Sequence, residues 1–246
     1  MKQILTVLLA LLLSVSCALA AQPDEAAMQN ARQALEKLGY PVSDRAADMA
    51  LEQHRMMLEW YVQSELLPSD SFGSQGDWAY QLLLCEGIGE YDYDAMIFTP
   101  TSDKIYVFDA EFFNIEGMYT EFLQGVQAIM PDAQITAVRE DLTGMNEYLD
   151  GSRKVYFDFN GHSYVVTLKS EGDWLNAEII DFLNRVLKTE GMPKRLHIVS
   201  DGWDQMVFLI YGSQEDADTL RSLLGTEAPQ ESGNPLLEWL GNLLGI

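Results

Sequence analysis

Apolar residues recur every three or four positions in the segment that follows residue 22. This spacing predicts a helix over residues 23–38 that ends at Gly39, and its buried face holds Met28, Ala31, Leu35 and Leu38. A second helix is predicted to start after Ser43, a good N-cap residue, and to end near residue 66 before Pro68. We therefore predict an N-terminal helical segment over 21–68, with a further short helix over 77–86.

From residue 92 the pattern changes to short apolar runs that are typical of strands. The runs 95–99 and 104–112 are separated by turn-forming residues and predict a hairpin, which is followed by a helix over 117–130 and a strand over 134–139. The same order recurs as a hairpin over 154–168 that turns at Asn160-Gly161, a helix over 176–188 and a strand over 195–199. A strand over 205–211 and a helix over 214–224 complete the predicted elements.

The two sets of elements can be aligned with a shift of 60 residues. This shift places Phe122, Leu123 and Val126 on Phe182, Leu183 and Val186. We interpret the match as two tandem ββαβ units, 95–139 and 154–199, although two unrelated amphipathic helices also share part of such a pattern. The predicted fold class is α+β, with an antiparallel sheet and packed helices in a domain over 69–226, preceded by the N-terminal helical pair.

The first twenty residues predict export. Lys2, the apolar run 4–13 and the small residues around 18–20 are typical of a cleavable signal peptide, with cleavage before Ala21. The expected location is the cell envelope or the secreted medium. In an alternative interpretation Cys17 carries a lipid and tethers the protein to a membrane.

The C-terminal residues 227–246 read as a linker and an apolar tail. The tail, 235–246, is too short to cross a bilayer, so the mature chain has no predicted transmembrane segment. It would bury against its own domain, pack on a neighbouring molecule or rest at a bilayer surface.

Acidic residues dominate the charge of the chain. There are 38 acidic residues against 15 basic ones, and the net charge is −23. Nucleic-acid binding needs clustered Lys and Arg, so we expect no nucleic-acid partner. The charge favours cationic partners, or else serves only solubility. After cleavage Cys85 is the sole cysteine, and its apolar neighbours predict a buried thiol without an intramolecular disulfide.

Catalytic and metal-binding motifs are not found in the sequence. The three histidines, His54, His162 and His197, have no neighbours at catalytic or metal-ligand spacing, and no cofactor is expected. An exported hydrolase that uses acidic residues stays open as an alternative, because sequence spacing cannot show whether two carboxylates converge. The chain is therefore more in keeping with a non-enzymatic protein, and its residues suggest no known family.

Two tryptophans in turns are the predicted ligand-binding residues. Trp174 and Trp203 are flanked by Gly and Asp, and Asp201 and Asp204 lie beside the second one. Exposed loop tryptophans often anchor partners, although packing over the end of the sheet is the other interpretation. We expect a binding module for a peptide, a protein or a glycan-like envelope polymer. The oligomeric state is left open by the sequence.

Overall fold

The computed structural model describes residues 23–64, 73–200 and 205–226. The chain divides into two compact units, one that ends at Cys85 and one that begins at Glu86. The predicted signal peptide and C-terminal tail lie outside the described residues. None of the helices in the described ranges is long and apolar enough to span a bilayer.

Helices form the N-terminal unit. They are α1 (Glu25–Lys37), α2 (Asp44–Gln63) and α3 (Gln75–Gly87), whose last two residues belong to the second unit. The side chain of Asp24 caps α1 by accepting from the Ala27 amide at 2.9 Å, and Ser43 caps α2 as predicted. Three of the four predicted core residues of α1 are buried, whereas Leu38 is 37% exposed because the helix ends before it.

The core of the N-terminal unit surrounds Trp78. Its ring is fully buried and stacks on His54 with 4.1 Å between the ring centroids. Cys85 is buried as predicted, and burial raises the pKa of its thiol to about 11. The thiol is thus protonated at neutral pH and unreactive.

Eight strands and three helices form the described part of the second unit. The strands are β1 (Glu90–Asp92), β2 (Ile97–Thr99), β3 (Ile105–Asp109), β4 (Ile135–Met145), β5 (Gly151–Phe159), β6 (His162–Ser170), β7 (Arg195–Ile198) and β8 (Met206–Gly212). The helices are α4 (Met118–Ile129), α5 (Glu178–Thr189) and α6 (Gln214–Leu224). The α+β class is confirmed.

The strands form three antiparallel sheets. Sheet I has the order β3-β8-β7, sheet II has the order β4-β5-β6, and β1 pairs with β2 in a two-stranded ribbon. The predicted hairpin between 95–99 and 104–112 is wrong, because β2 pairs with β1 and β3 pairs with β8. The physical reason is burial: Ile105 to Phe108 are all buried, so β3 needs the equally apolar β8 beside it.

The Asn160-Gly161 hairpin is confirmed. Both residues have positive φ angles, 50° and 85°, as the tight type I′ turn requires, and β5 and β6 pair along their whole length. Local turn chemistry therefore sets the register of sheet II.

Helices and strands do recur after 60 residues, but the recurring segments have different bounds from the predicted units. Both α4 and α5 have 12 residues and begin 60 positions apart, as β4 and β7 also do. The first segment lacks the predicted hairpin, so the common order is β-α-β-β, formed by β3-α4-β4-β5 and by β6-α5-β7-β8. Each segment contributes its first strand to one sheet and its last two strands to the other. A duplication of the sequence itself stays a prediction.

Helices α4 and α5 pack on corresponding strands. Helix α4 contacts β3 and β4, and α5 contacts β6 and β7. The matched apolar residues Leu123, Val126, Leu183 and Val186 are all buried in one core cluster with the inner faces of both sheets. The pairing and the packing thus follow the same scheme in the two segments.

Candidate ligand-binding surface

The structure describes one of the two predicted tryptophan turns. Trp174 is half-buried and packs against the core cluster, whereas Trp203, Asp201 and Asp204 lie outside the described residues. The recognition role of the two turns stays a prediction.

The turn that carries Trp174 is joined to the connection between β3 and α4. The Phe112 amide donates to the carbonyl of Asp173 and the Leu175 amide donates to that of Ala110, each at 2.8 Å. These bonds fix the connection on which Phe113 lies. The two backbone hydrogen bonds therefore anchor the connection at Phe112, and the next side chain, that of Phe113, points to solvent.

An exposed group of large apolar side chains lies on this connection and on the ribbon. We name it the aromatic patch, and it consists of Tyr91, Tyr93, Met96 and Phe113. Tyr93 and Phe113 are each 68% exposed, and Tyr91 is half-buried against the core. Single exposed apolar residues are common on proteins, but ones that touch each other indicate an interaction surface.

The three rings of the patch pack edge to face. The Tyr91 and Tyr93 centroids are 4.8 Å apart, those of Tyr93 and Phe113 are 5.6 Å apart, and those of Tyr91 and Phe113 are 6.3 Å apart. Rings in tilted and T-shaped contact orient one another, so the exposed surface is partly preorganised.

Helix α4 holds the ribbon in place. The Gln124 side chain donates to the carbonyl of Phe98 at 2.9 Å, and the buried Phe98 ring packs 5.7 Å from that of Tyr106. Gly89 enters the ribbon with a φ of 73°, and a Cβ there would collide with Phe98. Glycine at this position lets the ribbon lie close to its own buried ring.

One carboxyl group lies beneath the patch. Glu121 on α4 is half-buried, and burial raises the pKa of its carboxyl to about 7. Glu121 lies three residues before Gln124 on α4, and Gln124 hydrogen bonds to the ribbon at Phe98, the residue that pairs with Tyr91. Burial, and after it the charge of Glu121, raises the pKa of both Tyr91 and Tyr106. The carboxylate of Glu121 thus changes its charge near neutral pH.

The surroundings of the patch are strongly acidic. Residues 86–121 contain nine acidic side chains and a single basic one, Lys104, which lies 3.7 Å from Asp103. Carboxylates on the ribbon and on the β3–α4 connection, including Asp92 and Glu111, flank the aromatic rings in the sequence. The potential over the patch is therefore negative.

A second carboxylate near α4 is fully engaged. Glu140 on β4 accepts from the backbone and the hydroxyl of Thr120 and pairs with Arg153 at 2.8 Å. Arg153 is completely buried and also donates to the carbonyl of Ile115 at 2.7 Å, while its Nε and Nη2 atoms have no hydrogen-bond partner among the described residues. This pair ties the first turn of α4 to sheet II, so its role is to fix the helix that carries Glu121.

Metal ligation has no support in the described residues, which hold no group of three or more His, Cys, Asp or Glu side chains able to bind an ion. Comparison of the chain with protein-family models, curated proteins and solved structures finds no significant match. The argument for function therefore rests on the geometry of the patch.

The sequence contained part of the signal for this patch. Tyr91 and Tyr93 alternate with Asp92 and Asp94, and this short run reads as a solvated acidic turn. Phe113 and Glu121 were missed, because the first follows another phenylalanine in a connection and the second is one acid among many. Two adjacent phenylalanines next to a helix start were the available clue, since both cannot point into the core from an extended segment.

Proposed function

We propose that this protein is an exported, non-enzymatic binding module for a peptide or protein, and that the aromatic patch is its binding surface. The observation that supports the proposal is the contact between Tyr93 and Phe113, two rings that are mostly exposed yet pack on each other. Aromatic side chains of this kind supply a large contact area at a low cost in conformational entropy.

Export is part of the proposal and rests on the apolar run and small residues of the first twenty positions. The acidic charge supports a partner other than nucleic acid, because a net charge of −23 repels phosphate backbones. An envelope polymer with amine groups is compatible with the same surface.

The hydrolase alternative draws on one observation, the raised pKa of Glu121, which is suited to a general acid. Such an enzyme also needs a second carboxylate free to act on the substrate. Glu140, close to α4, is hydrogen bonded to Thr120 and paired with Arg153, and this engagement favours the binding module.

The experiment is a selection from a random peptide library on the immobilised mature protein. We expect enriched peptides to bind the wild type and to bind the Tyr93→Ala/Phe113→Ala variant at least about tenfold more weakly, because two anchor rings are removed. Tyr148→Ala is the matched control, since Tyr148 is 74% exposed and lies in the turn between β4 and β5.

Equal binding by the wild type and the double variant would contradict the proposal. Turnover of enriched peptides by the wild type, abolished in Glu121→Gln, would favour the hydrolase instead. Circular dichroism of each variant checks that it is folded.

A further inference from the structure

We propose that the aromatic patch accepts a lysine or arginine side chain of an extended, basic, apolar peptide segment, with the cation between the rings and the Glu121 carboxylate. This inference rests on the proposed function and names the chemistry of the ligand. Three observations support it: the arrangement of the rings, the position of Glu121 and the charge of the surroundings.

The rings offer faces to a cation. Aromatic faces attract cations most strongly when several rings surround the same point and water is partly excluded. Tyr91, Tyr93 and Phe113 lie within 6.3 Å of each other by centroid and meet at angles of 54° to 82°. Planes that meet at such angles form a corner instead of a flat stack, and a compact group fits into a corner.

Glu121 supplies the opposite charge at that corner. It lies one helical turn before Gln124, which hydrogen bonds to the ribbon at Phe98, and Phe98 pairs with Tyr91. A partly buried carboxylate near aromatic rings favours a side chain whose apolar stem packs on the rings while its charged end reaches the carboxylate, as Lys and Arg side chains do.

Charge complementarity favours a basic segment over two other candidate occupants of the patch, the C-terminal segment of this chain and a second copy of the chain. An acidic surface with a single lysine among residues 86–121 has no electrostatic attraction for the C-terminal segment 235–246, whose one charged side chain is Glu238. A second copy of the chain would bring the same acidic surface. Met96 contacts the Tyr91 hydroxyl, extends the patch and suits an apolar residue that flanks the cation.

Among the shifted pKa values of Glu121 and the groups packed around it, that of Glu121 is the one near neutral pH. Tyr91 from the ribbon and Tyr106 from β3 both have pKa values raised above the ordinary 10. From β4, Glu140 is held in its ion pair with Arg153, and β2 contributes the carbonyl of Phe98 to Gln124. A bound cation favours the ionised carboxylate, so binding should be tighter above pH 7 and weaker below it.

The test uses two acetylated and amidated peptides, Leu-Lys-Leu-Lys-Leu and Leu-Gln-Leu-Gln-Leu, titrated into the mature protein by calorimetry. At pH 8 we expect the lysine peptide to bind about tenfold more tightly than the glutamine peptide, a ratio in the range of cation–π and partly buried ion contacts. At pH 5.5 the ratio should fall to about threefold or less, because Glu121 is then protonated.

Variants separate the patch from the general charge of the protein. Glu121→Gln should remove the preference at pH 8, whereas Asp181→Asn, at the corresponding position of α5, should keep it. A lysine preference that persists in Tyr93→Ala/Phe113→Ala would be general charge attraction and would overturn the inference.

The remaining outcomes distinguish this inference from the proposed function. Equal binding of the two peptides, lost in Tyr93→Ala/Phe113→Ala, would overturn the cation and leave the binding module standing. If neither peptide binds at millimolar concentration, the cation inference fails, and the library selection alone decides the proposed function.

Discussion

Helices α4 and α5 occupy corresponding places in the fold, yet their outer surfaces differ. On α4, Gly125 is buried against the ring of Tyr106 and Glu121 is half-buried. Sixty residues further on, α5 has Arg185 and Asp181 at these positions, and both are exposed. On α4 the Tyr106 ring of β3 covers Gly125, and Gln124 attaches the ribbon to the helix at Phe98.

The first strands of the two segments, β3 and β6, also differ in burial, and β3 is again the more buried. Ile105 on β3 is 1% exposed, whereas Val165 at the matching position of β6 is 51% exposed. Tyr106 is buried and its counterpart Val166 is half-buried. Strand β6 is thus buried mainly on one face, as is usual in an antiparallel sheet, whereas β3 is buried on both faces. The aromatic patch lies on the segment whose first strand, β3, is buried on both faces.

The largest expected effect tests burial on the two first strands. Ile105→Ala removes buried methyl groups and should lower the free energy of unfolding by about 3 kcal/mol. Val165→Ala changes a half-exposed side chain and should cost less than about 1 kcal/mol. Urea unfolding followed by circular dichroism measures both. Similar costs for the two substitutions would show that the strands are not covered differently.

A smaller effect is expected from the two helices. The Cβ of Gly125→Ala would collide with the buried Tyr106 ring, so we expect a loss of about 2 kcal/mol in spite of the better helix propensity of alanine. Arg185→Ala should change the stability by less than about 0.5 kcal/mol. If Gly125→Ala unfolds at the wild-type urea concentration, the close packing of α4 against β3 is contradicted.

The smallest expected effect depends on pH. The folded pKa of Glu121, about 7, is higher than its ordinary value of 4.5, so the folded state favours the protonated form. The stability contributed by this group is complete below pH 4.5 and is lost as the pH rises through 7. Glu121→Gln should therefore match the wild type near pH 4.5 and exceed it at pH 8 by about 1–2 kcal/mol, after a discount for solvent screening.

The control for this pH effect is Asp181→Asn, the same change from acid to amide at the exposed matching position of α5. Urea midpoints between pH 4.5 and pH 8 provide the measurement. A Glu121→Gln variant that is less stable than the wild type at pH 8 would mean that the fold stabilises the Glu121 carboxylate, whereas burial should destabilise it.

Local signals in the sequence predicted most elements, because their causes are local. The helix cap at Ser43, the Asn160-Gly161 turn and the helical face around Phe122 each depend on residues within one or two turns of chain. The strand β1 was not predicted, since Glu90 and Asp92 are poor strand formers. It forms because Tyr91 pairs opposite the buried Phe98.

The sequence could not predict which distant strands pair with each other. Ile105 pairs with Ile210, and an apolar strand carries no mark that identifies its partner. The patch was missed for the same reason, because Tyr93, Phe113 and Glu121 meet only once the ribbon and the connection are placed on α4. Trp174 was recognised as unusual from its turn, but it is partly buried and packs on the core.

The pairing of β3 with β8 also determines the order in which the sheets can be completed. All three strands of sheet II lie within residues 135–170 and are joined by short turns. Sheet I has β8 as its middle strand, so every residue of sheet II precedes Met206 in the chain and is available to pair first. Until then β3 and β7 have no common partner, and closing the long loop between β3 and β8 is the step with the larger entropic cost.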